Sequence, residues 1–175
     1  MTTPTVQPSY GSVTTITCGL ATGPLASSAT LVAGREATAP TVNSTSLFDD
    51  VFLSGQVTVG TTPTSGTNIL IYVFGALDKT PTWPDVMTGS DSNETITSVG
   101  VGVAYLNLVK TLVVDSTTSN RKYPFGPISL AQFFGGNMPD YWNVWVVHNT
   151  GVALNSTGGN HFIEYYGVNY IIPSI

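Results

Sequence analysis

The chain has 175 residues, of which 42% are hydrophobic and only 9% are charged, and its formal net charge is −5. With five Lys and Arg residues in total, it has no basic stripe that could grip a phosphate backbone, which argues against direct nucleic-acid binding. No run of about 18 apolar residues occurs, so we expect no membrane-spanning helix. The single cysteine, Cys18, cannot form an internal disulfide.

The first 45 residues are small, polar and weakly patterned, with four prolines and few large apolar side chains. Extended structure is favoured by stretches such as SVTTITC. Ordering each residue costs about 1–2 kcal/mol of backbone entropy, so a segment of this composition gains order by lying on a neighbour. We therefore expect residues 1–45 to form an extended N-terminal arm that tethers a folded domain of residues 46–175 to other subunits by strand addition.

Short strands separated by turns are predicted after the arm. A half-buried strand is indicated by the alternation in VFLSGQVTV, where Val51, Leu53, Val57 and Val59 share one face. A strand buried on both faces is indicated by the continuous apolar run NILIYVFGAL. Loops are expected in DKTPTWPD and TGSDSNET.

The second half continues the β pattern. One face of a strand is predicted to carry Leu106, Leu108, Leu112 and Val114, which recur at period two or its multiples in VAYLNLVKTLVVD. A loop is expected in STTSNRKYPFGP. The last two strands are predicted in YWNVWVVHN and HFIEYYGVNYII.

One short helix is predicted in ISLAQFF. Ser129 is a favourable N-cap, and Gln132 follows at the spacing of a capping box. Gly135 and Gly136 would end the helix, and Pro139 would prevent its resumption. Together these elements predict an all-β fold, a jelly-roll-like β-sandwich with one short helix and an extended N-terminal arm.

Both histidines lie in one stretch, VVHNTGVALNSTGGNHFIEYYGV. If its flanking strands pair, His148 and His161 would lie near each other at the mouth of a loop. A zinc site needs a third ligand, and Glu164, three residues after His161, lies on the opposite face of a strand. We therefore expect a structural hairpin here, and no metal or cofactor site.

An oxygen-rich loop contains Asp91, Asn93 and Glu94, but calcium needs six to eight oxygen ligands from a longer set, so an exposed turn is expected. A Ser-His-Asp set could use Asp115 or Asp140, but no GxSxG elbow positions a nucleophile.

The other candidate reactive groups are equally isolated. Asp49 and Asp50 are neighbours that point opposite ways in a strand, unlike the paired acids of a glycosidase cleft. Cys18 has no credible histidine partner in the arm. We therefore expect no catalytic residues, and the chain is not expected to be an enzyme.

Aromatic residues leave two alternatives open, since they could form a packed core or subunit interface, or a sugar-stacking platform. The six candidates are Trp83, Tyr141, Trp142, Trp145, Tyr165 and Tyr166.

Three short motifs, FFGGNMP, NTGVALNSTG and YYGVNY, occur in the C-terminal half. With them, the chain from about residue 45 to residue 172 resembles small virion structural proteins of tailed bacteriophages. The resemblance implies a jelly-roll-like fold, assembly as a trimer or larger oligomer, and a place on the virion after assembly in the host cytoplasm. The preferred role is capsid decoration, in which a cement protein stabilises the shell by binding the major capsid protein or other virion proteins.

The low charge agrees with assembly, because surface that lacks charge is expected to be buried against other subunits. We therefore expect a homo-oligomer, with a homotrimer preferred. The alternatives are a phage tail or baseplate component, and a carbohydrate-binding receptor-recognition module. A sugar binder should expose aromatic, Asp and Asn side chains in one concave patch, whereas a cement protein should bury its aromatics and present flat interfaces.

Overall fold

The computed structural model describes residues 5–40, 43–76, 78 and 80–172, in which ten strands form two antiparallel sheets. The strands are β1 (Gln7–Tyr10), β2 (Thr14–Ile16), β3 (Ala33–Glu36), β4 (Asp50–Thr58), β5 (Thr67–Ala76), β6 (Ser92–Thr95), β7 (Asn107–Val114), β8 (Lys122–Ser129), β9 (Tyr141–His148) and β10 (Phe162–Ile171). The short helices are α1 (Asn43–Ser46), α2 (Val99–Gly102) and two 3₁₀ turns, Ala131–Phe134 and Gly158–Asn160. Within the described residues no helix is long and apolar enough to cross a membrane.

The strand order is that of a jelly roll. The first sheet has the order β1-β10-β4-β8, with β2 also paired to β10, and the second has the order β6-β3-β9-β5-β7. Without the edge strands β1 and β6, two four-stranded sheets remain, with the orders β2-β10-β4-β8 and β3-β9-β5-β7. Most connections between consecutive strands cross from one sheet to the other, as they do in a jelly roll. The prediction of an all-β, jelly-roll-like sandwich is confirmed.

The main core lies between the two sheets. Val51, Leu53, Val57 and Val59 are all fully buried in it, as the alternation in the sequence predicted. Apolar side chains from the second sheet meet them, chiefly Ile69, Ile71, Val73, Leu112, Val114, Val144 and Val146.

A second, smaller core covers the outer face of the second sheet. Its buried members are Leu70, Phe74, Met87, Ile96, Leu106, Trp145 and Val147. Residues 83–106, which include β6 and α2, supply part of this cover. Strand β5 therefore contributes to a core on each face, which confirms the prediction made from its continuous apolar run.

Residues 5–40 belong to both sheets. Strand β2 pairs with β10 in the first sheet, and β3 lies between β6 and β9 in the second. Leu20 and Leu25, between these strands, are buried in the main core. The expected division into an arm of residues 1–45 and a domain of residues 46–175 concerns independent folding and stays a prediction, but these contacts argue against it.

One predicted strand face is wrong in detail. In β7, Leu112 and Val114 are buried, whereas the side chain of Leu108 is exposed. The pairing of β7 with β5 shifts register between Ile71 and Tyr72, so the β7 residue Val109 is left out of the ladder. Such a bulge reverses the alternation beyond it and turns Leu108 outward.

Two segments expected to be loops are edge strands. Strand β8 contains Pro124 and Pro127, and β6 lies within TGSDSNET. Proline cannot donate to a ladder, but an edge strand has one unpaired side that tolerates this loss. The prolines and polar residues that suggested loops are therefore explained by position at the sheet edges.

The predicted helix is a 3₁₀ turn, Ala131–Phe134, with a different start from the one expected. Ser129 ends β8 and is not the N-cap. The carboxylate of Asp50 instead accepts a hydrogen bond from the backbone N–H of Ala131 at 2.9 Å. The turn ends as predicted at Gly135, which adopts a left-handed conformation with φ of 76°.

Candidate functional site

Aromatic side chains line the outer face of the first sheet. Register places Tyr166 of β10 opposite Phe52 of β4, and their rings stack with centroids 5.4 Å apart. The ring of Tyr10 in β1 meets the edge of Tyr166 at 6.0 Å. Phe162 and Tyr170 lie four residues to either side of Tyr166 and so share its face. We call these five residues the aromatic face.

Much of the aromatic face is open to solvent. Tyr10 is 66% exposed, Tyr170 is 57% exposed and Phe162 is 39% exposed, while Phe52 and Tyr166 are half-buried. Glu164, between Phe162 and Tyr166, adds a carboxylate to this face. Exposed aromatic rings gathered on one face of a sheet are a feature of interaction sites, although Val168, which lies between Tyr166 and Tyr170 on this face, is buried.

The edges of the first sheet are less suited to pairing than its face. Edge strand β1 is four residues long and contains Pro8, and edge strand β8 contains Pro124 and Pro127. Short edge strands and edge prolines discourage strand addition. Extension of the first sheet at these two edges is therefore disfavoured, whereas tethering of other subunits by strand addition stays a prediction.

The six aromatic residues singled out from the sequence do not form one platform. Trp142, Trp145 and Tyr165 are buried core residues. Trp83 is half-buried and makes edge-to-face contacts with Phe74 and Tyr141.

Of the six, only Tyr166 belongs to the aromatic face. Sequence reasoning missed Tyr10, Phe52, Phe162 and Tyr170. The sequence of β10 does contain a signal for this face. The exposed or half-buried residues Phe162, Glu164 and Tyr166 alternate along the strand with buried ones.

His148 is fully buried at the end of β9, and both of its ring nitrogens have protein partners. Its Nε2 donates to the backbone carbonyl of Leu25 at 3.0 Å, which leaves Nδ1 as an acceptor for the backbone N–H of Thr150 at 3.5 Å. The hydroxyl of Thr150 lies 3.0 Å from Nδ1 and donates to the carbonyl of Val152. Burial lowers the pKa of His148 below its ordinary value, and the bond to Leu25 opposes this shift only in part. The neutral ring therefore ties the N-terminal segment to β9.

His161 is engaged in the same way at the start of β10. Its Nε2 donates to the carbonyl of Asn155 at 2.8 Å, and its Nδ1 accepts from the backbone N–H of Thr58 at 3.3 Å. Burial lowers the pKa of His161 as well. Neither histidine has a nitrogen available for a metal without loss of a structural hydrogen bond.

The predicted hairpin between the two histidines is wrong. Strand β9 pairs with β3 and β5 in the second sheet, whereas β10 pairs with β1, β2 and β4 in the first. The intervening residues cross between sheets, and Leu154 is buried where it bridges to Val59. Among the residues that the structure describes, no three His, Cys, Asp or Glu side chains come together as a metal site.

Asp91 lies in an ion pair. Its Oδ1 accepts from Arg35 Nε at 2.6 Å and from the backbone N–H of Gly19 at 2.9 Å. Arg35 also donates to the side-chain oxygen of Asn93 at 3.1 Å, and Glu94 accepts from the neighbouring Ser92 hydroxyl. These groups join β3 to the edge strand β6, so the exposed turn expected here is wrong.

Glu36 is a buried carboxylate whose hydrogen-bond donors, within the part of the chain that the structure describes, are all uncharged groups. It accepts hydrogen bonds from the backbone N–H groups of Thr88 and Gly89 at 2.8 and 2.7 Å, and from the amide of Asn143 at 3.0 Å. Burial raises the pKa of Glu36, and these donors oppose the rise. Its donors belong to one loop and to strand β9, so Glu36 holds residues 88–89 against the second sheet.

Two further candidate carboxylates have structural partners, and the Cys18 thiol is held in its protonated form. Asp115 pairs with Arg121 at 2.8 Å and accepts from the hydroxyl of Tyr123 at 2.9 Å. Asp49 accepts from the backbone N–H of Tyr170 at 2.7 Å. Burial raises the pKa of the Cys18 thiol well above its ordinary value, which disfavours the nucleophilic thiolate.

A groove of about 370 Å³ opens near the end of β5. Its lining residues include two aromatic rings, Tyr105 and Phe134, and two amides, Asn107 and Asn137. An aromatic ring can stack on the apolar face of a sugar while amides bond its hydroxyls.

Comparison with known proteins returns no family model, no curated protein and no solved structure that matches this chain.

Proposed function

We propose that the protein is a structural virion component that decorates and stabilises a phage capsid as a homo-oligomer, with the aromatic face as its principal contact. The observation that carries the proposal is the row of exposed rings on the outer face of the first sheet, at Tyr10, Phe162 and Tyr170. A protein with 9% charged residues and this surface is suited to permanent contacts with other chains.

The energetics favour burial of this face. Fully burying a large apolar side chain contributes about 1.5–3 kcal/mol, and several such side chains here are open to solvent. The stacked pair of Phe52 and Tyr166 fixes a flat, preorganised centre, so little side-chain entropy is lost when a partner covers it.

The jelly roll supports the proposal by analogy alone, because viral capsid proteins and lectins both use double-sheet sandwiches of this kind. The resemblance of residues 45–172 to small phage virion proteins adds the specific role of cement protein. A place on the tail or baseplate would use the same face.

The test of assembly is light scattering on three proteins. The wild-type chain should show a multiple of its 18.4 kDa mass, with three copies preferred. Tyr170→Lys should shift the mass toward a monomer. Val113→Lys is the matched control, because Val113 is also exposed but lies on β7 of the other sheet. A monomeric wild type, or an equal effect of both variants, would contradict the proposed interface.

The test of location is particle fractionation. A cement protein should remain with intact particles at a copy number near that of the major shell protein. Recovery with detached tails at a few copies per particle would assign the tail or baseplate instead.

A second function, carbohydrate recognition, is favoured by the groove at Tyr105, Phe134, Asn107 and Asn137. Its test is titration with simple hexoses and short oligosaccharides, followed by chemical-shift changes in the groove. Tyr105→Ala should abolish a genuine sugar response, whereas Tyr10→Ala on the aromatic face should leave it unchanged. If Tyr10→Ala abolishes the sugar response and Tyr105→Ala does not, the sugar binds at the aromatic face and not in the groove.

A further inference from the structure

Leu47 and Val103 are the two most exposed large apolar side chains among the described residues, at 70% and 69%. Leu47 lies in the turn between α1 and β4, and Val103 directly follows α2 on the outer side of the second sheet. A single exposed apolar residue needs no explanation. Each of these two, however, belongs to a feature with a defined shape, one a cavity and the other a projection.

Val103 lies at the mouth of a small apolar cavity of about 100 Å³. The cross-strand pair Tyr72 and Trp145 contributes to its lining, together with aliphatic side chains such as Ile96 and Leu106, and no charged residue lines it. Because a cavity of roughly 150 Å³ takes one benzene molecule, this cavity takes about four carbon atoms. That is the size of a leucine or isoleucine side chain, whereas the rings of the aromatic face are too large to enter.

Leu47 is a rigid projection. Its φ is 53°, in the left-handed region that leucine rarely adopts. The side-chain amide of Asn43 holds this turn, because it donates to the carbonyl of Phe48 at 3.1 Å and accepts from the backbone N–H of Phe48 at 3.0 Å. Backbone strain persists only where the surroundings enforce it, and it concentrates at functional sites. A side chain that is held in this way loses little freedom when a partner buries it.

Leu47 also adjoins the aromatic face. The amide of Asn169, in the orientation that satisfies its hydrogen bonds, donates to the carbonyl of Leu47 at 2.7 Å. Asn169 directly precedes Tyr170, and the backbone N–H of Tyr170 donates to Asp49, two residues after Leu47, at 2.7 Å. A partner that covers Tyr170 therefore lies next to Leu47.

We propose that the cavity is the docking site for Leu47 of a second copy of this chain, so that the Leu47 end of the aromatic face packs against the outer side of the next copy's second sheet. Leu47 does not fill the cavity of its own copy, because it is exposed. A contact between two different surfaces is head-to-tail, and it closes into a ring where the rotation between copies allows. This inference rests on the proposed homo-oligomer and names the surface that the aromatic face meets.

The test uses two variants of the full chain, each of which removes one side of the contact. Leu47→Asp removes the projection, and aspartate adopts positive φ more readily than leucine, so the turn should persist. Val103→Asp places a charge at the mouth of the cavity. In a dilution series followed by light scattering, each variant alone should associate about tenfold to a hundredfold more weakly than the wild type, as expected when one leucine side chain is left unburied.

A mixture of the two variants is the decisive sample. The Val103→Asp copy retains Leu47, and the Leu47→Asp copy retains an intact cavity, so one complete contact can form. The mixture should therefore contain a species of two chains under conditions in which each variant alone is monomeric.

Two control variants and a substitute support this test. Leu47→Met keeps an apolar side chain of similar size and should associate as the wild type does. Val113→Asp places a charge at a valine that is 56% exposed on the second sheet but does not line the cavity, and it should leave the oligomer unchanged. Circular dichroism verifies the fold of each variant. Val99→Asp, at the same mouth, replaces Val103→Asp if that variant does not fold.

Four results would overturn the proposal. A monomeric wild type would overturn the proposed homo-oligomer with it. An oligomer that Tyr170→Lys weakens, but Leu47→Asp and Val103→Asp do not, would leave the aromatic interface standing without the cavity. Loss of association in Val103→Asp alone would mean that another side chain, such as Ile172, fills the cavity. Two monomeric variants whose mixture also stays monomeric would show that the contact is not head-to-tail.

Discussion

The Nδ1 atom of His161 accepts a hydrogen bond from the backbone N–H of Thr58 at 3.3 Å, while its Nε2 donates to the carbonyl of Asn155. A proton added at Nδ1 would place two donors face to face. The ring therefore joins the end of β4 to the start of β10 only in its neutral form.

Stability should consequently fall on acidification below about pH 6.5, the ordinary pKa of histidine. Burial depresses the pKa of His148 and His161 in the folded protein, so the unfolded chain binds more protons between the folded and unfolded pKa values. The histidine contribution is complete above pH 6.5 and is lost as the pH falls toward the folded values. Denaturant unfolding at about pH 7.5 and pH 5 should show a lower free energy of unfolding at the acidic value.

The variant His161→Gln isolates the share of this effect that comes from His161. It removes one titration but keeps an amide that can donate to Asn155. Glu36 acts in the opposite direction, because its raised pKa gives a stabilising contribution that is lost as the pH rises from about 4.5 through the folded pKa. The contribution of Glu36 cancels when the free energy of unfolding of the variant is subtracted from that of the wild type at each pH. An identical pH dependence of the two proteins would refute the role given to His161.

Chelation of divalent metal ions in the solution should leave the stability of the fold unchanged. Both ring nitrogens of His148 and His161 already have protein partners, and Asp91 is held by Arg35 and Gly19. The melting temperature with and without EDTA should therefore agree within error. A fall of several degrees that zinc or calcium reverses would show a metal site that these contacts do not predict.

Substitution of Asp50 should lower the free energy of unfolding more than substitution of a typical aspartate in a half-buried strand. Its Oδ1 accepts from the backbone N–H of Val51 at 2.7 Å and from that of Ala131 at 2.9 Å, and the residue is buried. Asp50→Ala leaves both donors unsatisfied, which should cost about 1–3 kcal/mol in free energy of unfolding. Asp50→Asn keeps an oxygen in the same place and should cost less, so equal losses in the two variants would mean that the acceptor is not what matters.

Periodicity predicted the sandwich because it reports which side chains each sheet buries. Thus Val51, Leu53 and Val57 were correctly placed in the core by their alternation. Leu108 was misplaced because a bulge changes the alternation through the partner strand, which a single-strand pattern does not contain. Strand β8 was missed because Pro124 and Pro127 are tolerated only at an edge, and edge position is a property of the whole sheet.

The candidate site was harder to predict than the fold. The aromatic face combines Tyr10 from the first strand, Phe52 from the fourth and Tyr166 from the last, and only strand pairing brings them together. The indole N–H of Trp145, which has no acceptor among the described residues, also could not be predicted from the sequence, because any buried tryptophan gives the same apolar pattern.

The N-terminal segment gives the sharpest contrast between composition and contacts. Composition predicts that deletion of residues 1–40 leaves a folded domain that attaches more weakly to its neighbours. The contacts predict unfolding, because the deletion removes β3 from between β6 and β9 and takes Leu20 and Leu25 out of the core. Loss of Leu25 also removes the carbonyl that accepts from His148.

Deletion of residues 1–12 separates folding from assembly. This shorter deletion removes β1, whose side chains are all exposed, and it takes Tyr10 away from the aromatic face while leaving β2, β3 and the core intact. The truncated protein should keep a near-wild-type circular dichroism spectrum and a cooperative unfolding transition, but light scattering should show a smaller oligomer. Deletion of residues 1–40 should abolish the cooperative transition in the same assay. If the protein without residues 1–40 still folds, the N-terminal segment is a separate arm as the composition predicts. If the protein without residues 1–12 still forms the full-sized oligomer, Tyr10 does not belong to the interface.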